Sequence, residues 1–477
     1  MQETMSIAQR LPYDILYFIF TYCWRIKKSE KWALIDRTDF PILLLHVCSS
    51  WRKAALSTPV LWSNLALTFG KATGMSVEKV ENRARILDDW VDLVGHGPKS
   101  LSLAFDDNRS FYDFELPEAS CAGIRHLWLF RSPHIVDLLP EGFSLPRLET
   151  LVLFARHETA LDGRPYMLPS LLASQLRKLW LHDVDPIAFL DKRHSWIHLT
   201  HLILEDSVPS LSSIFHSCPQ LEEAVIFLEP ECLPDSSIAV VDDLEPPFSH
   251  RSLTELVLYT FFRTETRLPS IASCFREWHL PALASFQISP TMHTFEVFRN
   301  WAALMKRMPN LREAYLGPDL SFSALANEAE IYDAFNTFNP LLDTLILDQS
   351  DKPTHPNDPY HAHPFSTVDL LRRFLLSRIT SSGALVPIKK LVILITDLDD
   401  IFEISKTLLL DIEDSLGPLL AGGKRGSGRL ELELELTSIP YRSCLTFHGR
   451  CAMSHQVGSY VEEVMKDYST YRAFAVE

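Results

Sequence analysis

The feature that most constrains the fold of this chain is a short apolar motif, of the form Leu-x-x-Leu-x-Leu, that recurs along it. Nine units follow one another, at residues 124–130, 148–154, 176–182, 199–205, 221–227, 253–259, 283–289, 311–317 and 342–348. Successive units lie 22 to 32 residues apart. One such unit cannot bury its apolar side chains alone, so the units must stack and share a continuous core. The pattern therefore predicts a repeat in which each unit places a short strand beside the strand of the next.

This repeat resembles the leucine-rich repeat, with two departures. The later units are longer than is usual, and the Asn or Cys expected three positions after the second Leu is missing. Between the strands, helical periodicity indicates return segments at 212–218 and 296–308. We expect an irregular leucine-rich solenoid over residues 99–440, without an asparagine ladder. The alternating strand 430–436 is its expected last rung, and residues 441–477 are expected to form a C-terminal cap.

The first sixty residues carry a different, helical pattern. Pro12 suits the first turn of a helix whose apolar stripe is formed by Ile15, Leu16, Ile19 and Phe20. A second helix is predicted to start near residues 39–41 and to run to about residue 55, before Pro59. Its stripe consists of Leu44, Val47, Cys48, Trp51 and Ala55. Short helices of this kind bury little surface among themselves, so we expect part of the stripes to pack on the next domain or on a partner.

Three motifs in this region, in this order, resemble the F-box of large fungal protein families. They are residues 11–20 (LPYDILYFIF), 47–55 (VCSSWRKAA) and 59–62 (PVLW). Asp14, where many members carry Glu, and the long segment 21–40 depart from the family pattern. The resemblance implies a three-helix module over residues 1–70 that binds the Skp-family adaptor of a cullin ubiquitin ligase. The alternative is an ordinary helical subdomain whose stripes form only its own core. The residues that the resemblance implies for adaptor contact are Leu11, Pro12, Asp14, Ile15, Leu16, Ile19, Phe20, Val47, Cys48, Trp51, Leu61 and Trp62.

Residues 71–98 connect the two regions. Leu87, Trp90 and Val94 belong to a helical stripe that residues 95–98 (GHGP) terminate before a strand at residues 101–103. There is no long Gly/Ser linker, so the pattern predicts a rigid join.

The distribution of charge limits the kinds of partner. The chain carries a net charge of −16, so neither a nucleic-acid backbone nor an anionic membrane surface is expected to bind it. Residues 1–69 hold eight Lys and Arg against five Asp and Glu, a balance of +3, which leaves −19 for the rest. Skp-family adaptors are acidic, and a basic module is steered towards them. Without a signal peptide, a lipidation box or a membrane span, and with eight dispersed cysteines, we expect a soluble cytoplasmic or nuclear protein with reduced thiols.

The candidate surface for a recruited target is the central position of each strand, which lies between the two inward Leu positions. That column reads Ser102, Trp128, Val152, Trp180, Ile203, Val225, Val257, Gln287, Tyr315 and Ile346. An exposed apolar surface of this length is typical of a binding face, so Trp128, Trp180 and Tyr315 are predicted to anchor the target. The alternative is that both faces of the sheet are buried.

Motifs for chemistry are weak. His355, His361 and His363 have a spacing that permits metal binding but more often belongs to a proline-rich loop, and residues 421–428 lack the order of a phosphate loop. We expect no catalytic residue, cofactor or metal. The leading interpretation is a substrate-recognition subunit of an SCF-type ligase that joins an adaptor and cullin complex to an unknown target protein. The alternative is a non-ligase F-box scaffold or regulator, and an enzyme is a distant third.

Overall fold

The structure is a computed structural model of the chain. It describes residues 11–27, 41–69, 85, 87, 89–90, 92–94, 99–105, 123–130, 144–154, 166–167, 174–182, 184–185, 196–205, 211–228, 248–260, 278–290, 305–316, 325–349, 365–380, 385–386, 388–397 and 433–440. The chain divides into two compact units, Met1–Leu199 with Leu204–Asp206, and Thr200–Ile203 with Ser207–Glu477.

The helices with defined bounds are α1 (Tyr13–Lys27), α2 (Ile42–Val47), α3 (Ser49–Leu56), α4 (Leu211–Ser217), α5 (Leu325–Phe338) and α6 (Phe365–Thr380), with a 3-10 turn at Pro59–Trp62. The strands are β1 (Asn64–Phe69), β2 (Lys99–Phe105), β3 (Ile124–Phe130), β4 (Thr150–Phe154), β5 (Tyr166–Met167), β6 (Lys178–His182), β7 (Val184–Asp185), β8 (His201–Glu205), β9 (Glu223–Leu228), β10 (Phe248–Ser249), β11 (Glu255–Thr260), β12 (Trp278–His279), β13 (Ser285–Pro290), β14 (Glu313–Leu316), β15 (Thr344–Gln349), β16 (Lys390–Asp397) and β17 (Glu433–Pro440).

The N-terminal helices differ from the predicted pattern in two places. Helix α1 extends to Lys27, well into the segment that was expected to separate the first two helices. The prediction of one continuous second helix is wrong, because Cys48 is extended, with φ −163° and ψ 172°, and separates α2 from α3. The break leaves the Leu45 carbonyl without a helical donor, and the Arg52 Nε–H donates to it at 2.8 Å. A stripe at helical spacing does not reveal such a break, since both helices keep their apolar sides on the same core.

The first sheet strand begins directly after the helices, and the sequence pattern missed it. Strand β1 pairs in parallel with β2, with Leu65 beside Leu101 and Leu67 beside Leu103. The indole N–H of Trp62 donates to the Ala55 carbonyl at 2.9 Å, and the indole N–H of Trp90 donates to the Trp62 carbonyl. These contacts join the helices directly to β1. The join predicted at residues 71–98 lies mostly outside the described residues.

In the first unit the leucines of the repeat form two buried rows. Strands β2, β3, β4 and β6 pair in parallel in chain order, so that Leu101, Leu127, Leu151 and Leu179 stand side by side, each at most 2% exposed. Each of the nine repeats predicted from the sequence contains a strand. The predicted α/β architecture, N-terminal helices followed by a parallel sheet of regularly spaced strands, is confirmed.

The second unit repeats this arrangement, with strands β9, β11, β13, β14, β15, β16 and β17 parallel and in chain order. Helix α4 confirms the helix predicted at 212–218, and the last strand lies at 433–440, three residues later than expected. Of the helix predicted at 296–308, the structure describes only the end, where Met305 and Lys306 are helical.

A buried column lies at the turns that precede β9, β11, β13, β14 and β15, and consists of Cys218, His250, Leu280, Met308 and Asn339. Two of its members are polar. The ring of His250 binds the Cys218 carbonyl through Nε2 at 3.0 Å and accepts the Leu253 N–H through Nδ1 at 3.2 Å, and the Asn339 side chain donates to the Met308 carbonyl at 2.6 Å. Each side chain therefore binds a backbone carbonyl of the preceding repeat. Leu280 and Met308 separate these two residues in the column, so the described residues show individual side-chain contacts to the backbone and not a continuous polar ladder.

Candidate functional site

The described residues leave large apolar side chains exposed mainly on the N-terminal helices. Nine of the ten such side chains lie between residues 13 and 60, and the tenth is Ile197. The nine are Tyr13, Ile15, Tyr17, Phe18, Tyr22, Leu43, Val47, Leu56 and Val60. This concentration marks the N-terminal helices as the candidate interaction surface, since soluble proteins rarely leave a contiguous apolar area in water.

Helix α1 presents apolar side chains on two sides. Leu16 and Phe20 point into the core. At 3.6 residues per turn, Ile15, Phe18 and Tyr22 lie on the opposite side of the helix, where Phe18 is 68% exposed and its ring stacks on that of Tyr22 at 6.5 Å between centroids. We call Ile15, Phe18 and Tyr22 the α1 face.

A second group of aromatic side chains lies next to the core side of α1. The rings of Tyr13 and Tyr17 are 6.5 Å apart, and the Tyr13 hydroxyl donates to the Ser57 carbonyl at 3.2 Å. This contact joins the start of α1 to the end of α3. The exposed aromatic side chains of α1 therefore belong to two separate surfaces.

The structure divides the predicted adaptor-contact residues into three groups. Leu16, Phe20, Leu61 and Trp62 are buried in the helical module. Leu11, Ile19, Cys48 and Trp51 are half-buried, and Pro12, Asp14, Ile15 and Val47 are exposed. The Trp51 ring meets the Phe20 ring edge to face, with 5.2 Å between centroids. The buried residues hold the helices together, so a partner in contact with this module would meet the exposed ones.

The sequence interpretation missed four of the exposed aromatic residues, Tyr13, Tyr17, Phe18 and Tyr22. A signal was present, because residues 13–24 contain six aromatic side chains, more than one side of a helix can bury. Aromatic residues left over after one buried stripe is filled are candidates for contact with a partner.

Cys48 lies in the break between α2 and α3 and has an unusual environment. The Ser50 hydroxyl lies 3.2 Å from its Sγ, and this contact, with the backbone N–H of Trp51, holds the pKa of Cys48 below its usual range. Burial instead raises the pKa of Cys218 far above its usual range. Of these two thiols, Cys48 is the one whose thiolate is favoured.

The predicted target-binding residues occupy different environments. Trp128 and Trp180 are 9% and 5% exposed, on either side of Val152 in register. The Phe154 ring packs edge to face on Trp180, with 4.6 Å between centroids. Tyr315 is half-buried in the second unit. The two indoles therefore do not form an open surface, which favours the alternative of a sheet buried on both faces at these positions, while Tyr315 keeps part of its surface accessible.

The weaker candidates for chemistry lie elsewhere. His355, His361, His363 and residues 421–428 are outside the described residues. Within the part that the structure describes, no group of three or more potential ligands is arranged to bind a metal ion. In the same part of the chain, no helix has both the length and the apolar character needed to cross a membrane.

No protein-family model and no curated protein matches this chain.

Proposed function

We propose that this chain is the substrate-recognition subunit of an SCF-type cullin ubiquitin ligase. Its N-terminal helices bind a Skp-family adaptor, and its repeat solenoid recruits the target protein. The chain contributes no catalytic group, and it promotes the reaction by holding the target near the ubiquitin-charged enzyme. It acts in the cytoplasm, the nucleus or both.

The observation that carries this proposal is the exposed apolar surface of the N-terminal helices. Burying the accessible parts of Ile15, Phe18 and Tyr22, roughly 100 Å² each, contributes about 2.5 kcal/mol per side chain before the losses of association. Leu43 and Val47 of α2 add further apolar area. A helical module that exposes this much apolar surface supports the F-box interpretation of the three sequence motifs.

The join between helices and sheet supports the proposed mechanism. Strand β1 begins two residues after Trp62, and β1 pairs with β2 along its whole length. An adaptor bound to the helices would therefore hold the adjoining repeats in a defined orientation, which raises the effective concentration of a bound target.

The test compares two exposed isoleucines. Ile15 is 48% exposed on α1 and Ile197 is 49% exposed in the repeat region, so Ile15→Glu and Ile197→Glu are matched substitutions. A tagged chain is co-expressed with a Skp-family adaptor and a cullin, and the co-purified proteins are quantified. Ile15→Glu, alone or with Phe18→Glu, should reduce the recovered adaptor at least tenfold, and Ile197→Glu should leave it unchanged.

If the Ile15→Glu/Phe18→Glu chain recovers as much adaptor as the wild-type chain, the proposed adaptor site is refuted. Recovery of the adaptor by the wild-type chain without any cullin would instead favour the scaffold or regulator. These exposed substitutions are sharper than changes at Trp51, because Trp51 packs on Phe20 and its loss also disturbs the fold.

A further inference from the structure

Helix α3 carries an open groove on its solvent side that the proposed adaptor site does not use. The groove has a volume of about 450 Å³ and is lined by Ser49, Arg52, Lys53, Leu56 and Ser57. These positions recur at helical spacing, so they share one side of α3, while Ala54 and Ala55 on the other side are buried. We call these five residues the α3 groove.

The α3 groove is cationic, and the described parts of the N-terminal region contain little acidic charge. Residues 41–69 contain no Asp or Glu, and Asp14 is the only acidic residue in the described ranges 11–27 and 41–69. Arg52 is oriented by the bond from its Nε–H to the Leu45 carbonyl. Among the described residues, its other two nitrogens and the Lys53 ammonium have no protein partner, so they are available to a carboxylate.

Apolar groups border these charges. Leu56 is 40% exposed within the groove, and Ser57 joins it to Tyr13, since each hydroxyl lies within 3.2 Å of an acceptor on the other residue. Tyr17 extends the same aromatic border by one helical turn. Two cations beside a leucine and two tyrosines match an acidic segment that also carries an aliphatic or aromatic side chain.

The charge of the whole molecule distinguishes between possible anionic partners. A nucleic acid or an anionic membrane extends far beyond two cations and would meet the repulsion of a chain with a net charge of −16. A short acidic peptide segment interacts only locally, within about one Debye length of roughly 8–10 Å. The groove therefore favours a protein segment over a polyanion.

We propose that the α3 groove is a second docking site, which binds an acidic segment of a partner protein. The carboxylates of that segment pair with Arg52 and Lys53, and one of its apolar side chains packs on Leu56 and Tyr13. The site is separate from the α1 face, because Ile15, Phe18 and Tyr22 lie on the other side of α1. Its occupation does not depend on the ligase role proposed above.

The test uses the full chain and a defined probe. A fluorescein-labelled twelve-residue peptide that repeats Asp-Glu-Leu-Glu is titrated by fluorescence anisotropy, beside its uncharged Asn-Gln-Leu-Gln counterpart. The wild-type chain should bind the acidic peptide and not the neutral one. Arg52→Glu with Lys53→Glu should weaken binding at least tenfold, and Leu56→Ala about threefold. The matched control reverses the charge of Lys306, which is exposed in the repeat region. Lys306→Glu should leave the affinity for the acidic peptide unchanged.

Three results would overturn the proposal. The first is that the wild-type chain does not bind the acidic peptide. The second is that Lys306→Glu weakens peptide binding as much as Arg52→Glu with Lys53→Glu does. The third is that a twelve-nucleotide single-stranded DNA binds the wild-type chain more tightly than the peptide does, and that Arg52→Glu with Lys53→Glu abolishes this binding. The Ile15→Glu/Phe18→Glu chain should keep its affinity for the peptide. Peptide binding by a wild-type chain that recovers no adaptor would show that the adaptor proposal alone has failed, and recovery of the adaptor by a wild-type chain that does not bind the peptide would show that the groove proposal alone has failed.

Discussion

Replacing Arg378 by methionine should destabilise the second unit by about 4 kcal/mol. Arg378 lies on α6, is 1% exposed, and uses all five of its N–H donors. Nε donates to the Asn336 side-chain oxygen, Nη1 to the carbonyls of Leu342 and Val386, and Nη2 to the carbonyls of Phe335 and Asn339, at 2.8 to 3.2 Å. None of these partners is a carboxylate, so a buried cation is held by neutral oxygens.

The position of these oxygens explains why a charge is tolerated. Phe335 and Asn339 lie at the end of α5, which finishes at Phe338, and the carbonyls at a helix C-terminus carry a partial negative charge. The ring of Phe374 lies 5.2 Å from the guanidinium carbon and adds a cation–π contact. Arg378 therefore ties α5, α6 and the segments before β15 and β16 together.

The magnitude follows from two opposing contributions. Five hydrogen bonds from a charged donor contribute about 1.5 kcal/mol each at the low end of the usual range, or about 7 kcal/mol. Burial lowers the pKa of Arg378 to about 10 from 12.5, which corresponds to about 3 kcal/mol of desolvation that the methionine variant recovers. The difference, about 4 kcal/mol, agrees with the usual effect of removing one partner from a buried charged network. Arg378→Lys retains the charge but has only three donors, so it should cost about 2 kcal/mol.

The assay is hydrogen exchange in peptides that cover α5 and β15, because a chain of two units is not expected to unfold in one step. A loss of 4 kcal/mol should accelerate exchange there about a thousandfold. The matched controls are Arg372→Met and Arg373→Met, exposed on the same helix, which should change stability by less than about 0.5 kcal/mol. Exchange in Arg378→Met no faster than in Arg372→Met would refute the reasoning.

Three further predictions concern other buried or activated side chains. Burial lowers the pKa of His250 in the folded chain, so the neutral imidazole stabilises the fold. This stabilisation is complete above the unfolded pKa of about 6.5 and is lost as the pH falls below it. The urea midpoint of unfolding should therefore decrease from pH 8 to pH 5, and it should decrease less in His250→Leu. Trp180→Ala should lower stability by about 3–5 kcal/mol in thermal unfolding, since it removes a buried indole. Iodoacetamide should alkylate Cys48 at pH 7 much faster than Cys218, and bound adaptor should protect Cys48, as measured by mass spectrometry of the two peptides.

Each of these predictions has a control or a contrary result. The exposed His198 should not alter the pH dependence when replaced by leucine, and an equal flattening by both variants would contradict the role of His250. A Trp180→Ala chain that loses target binding with unchanged melting would restore Trp180 as a contact residue. Alkylation of Cys48 at the same rate with and without bound adaptor would place the adaptor elsewhere.

Much of the sheet was predictable because the repeat supplies many weak signals that agree. Each of the nine repeats has alternating apolar residues, and the distance from one repeat to the next is too short for a separate domain. All nine repeats contain a strand. Strand β1 was not predictable in this way. Its sequence, NLALTF, is short and lies next to a helical stripe, and it becomes a strand by pairing with β2, which begins thirty-five residues later. Helices α5 and α6 were not predicted, because they lie between repeat strands, where the recurring strand motif gives no information.

The candidate site was predictable only in part. The motifs at residues 11–20 and 47–62 located the surface on the N-terminal helices, yet Leu16, Phe20, Leu61 and Trp62 are buried there and Phe18 is exposed. Hydrophobicity was therefore a poor guide to which side chains meet a partner. The α3 groove depends on the break at Cys48 and on the contact between Tyr13 and Ser57, neither of which follows from a periodic pattern.

The sequence by itself determined the strands of the nine repeats and which of their leucines point inward, because the strand period is a local property of the backbone. Only the tertiary structure decided which remaining apolar side chains are covered. Trp128 and Trp180 were predicted to be open and are buried, whereas Ile15 and Phe18, in the same kind of apolar surroundings, stay exposed. The period of a helix or strand fixes the relative directions of side chains on that one element. Whether those side chains are buried depends on which other parts of the chain pack against them.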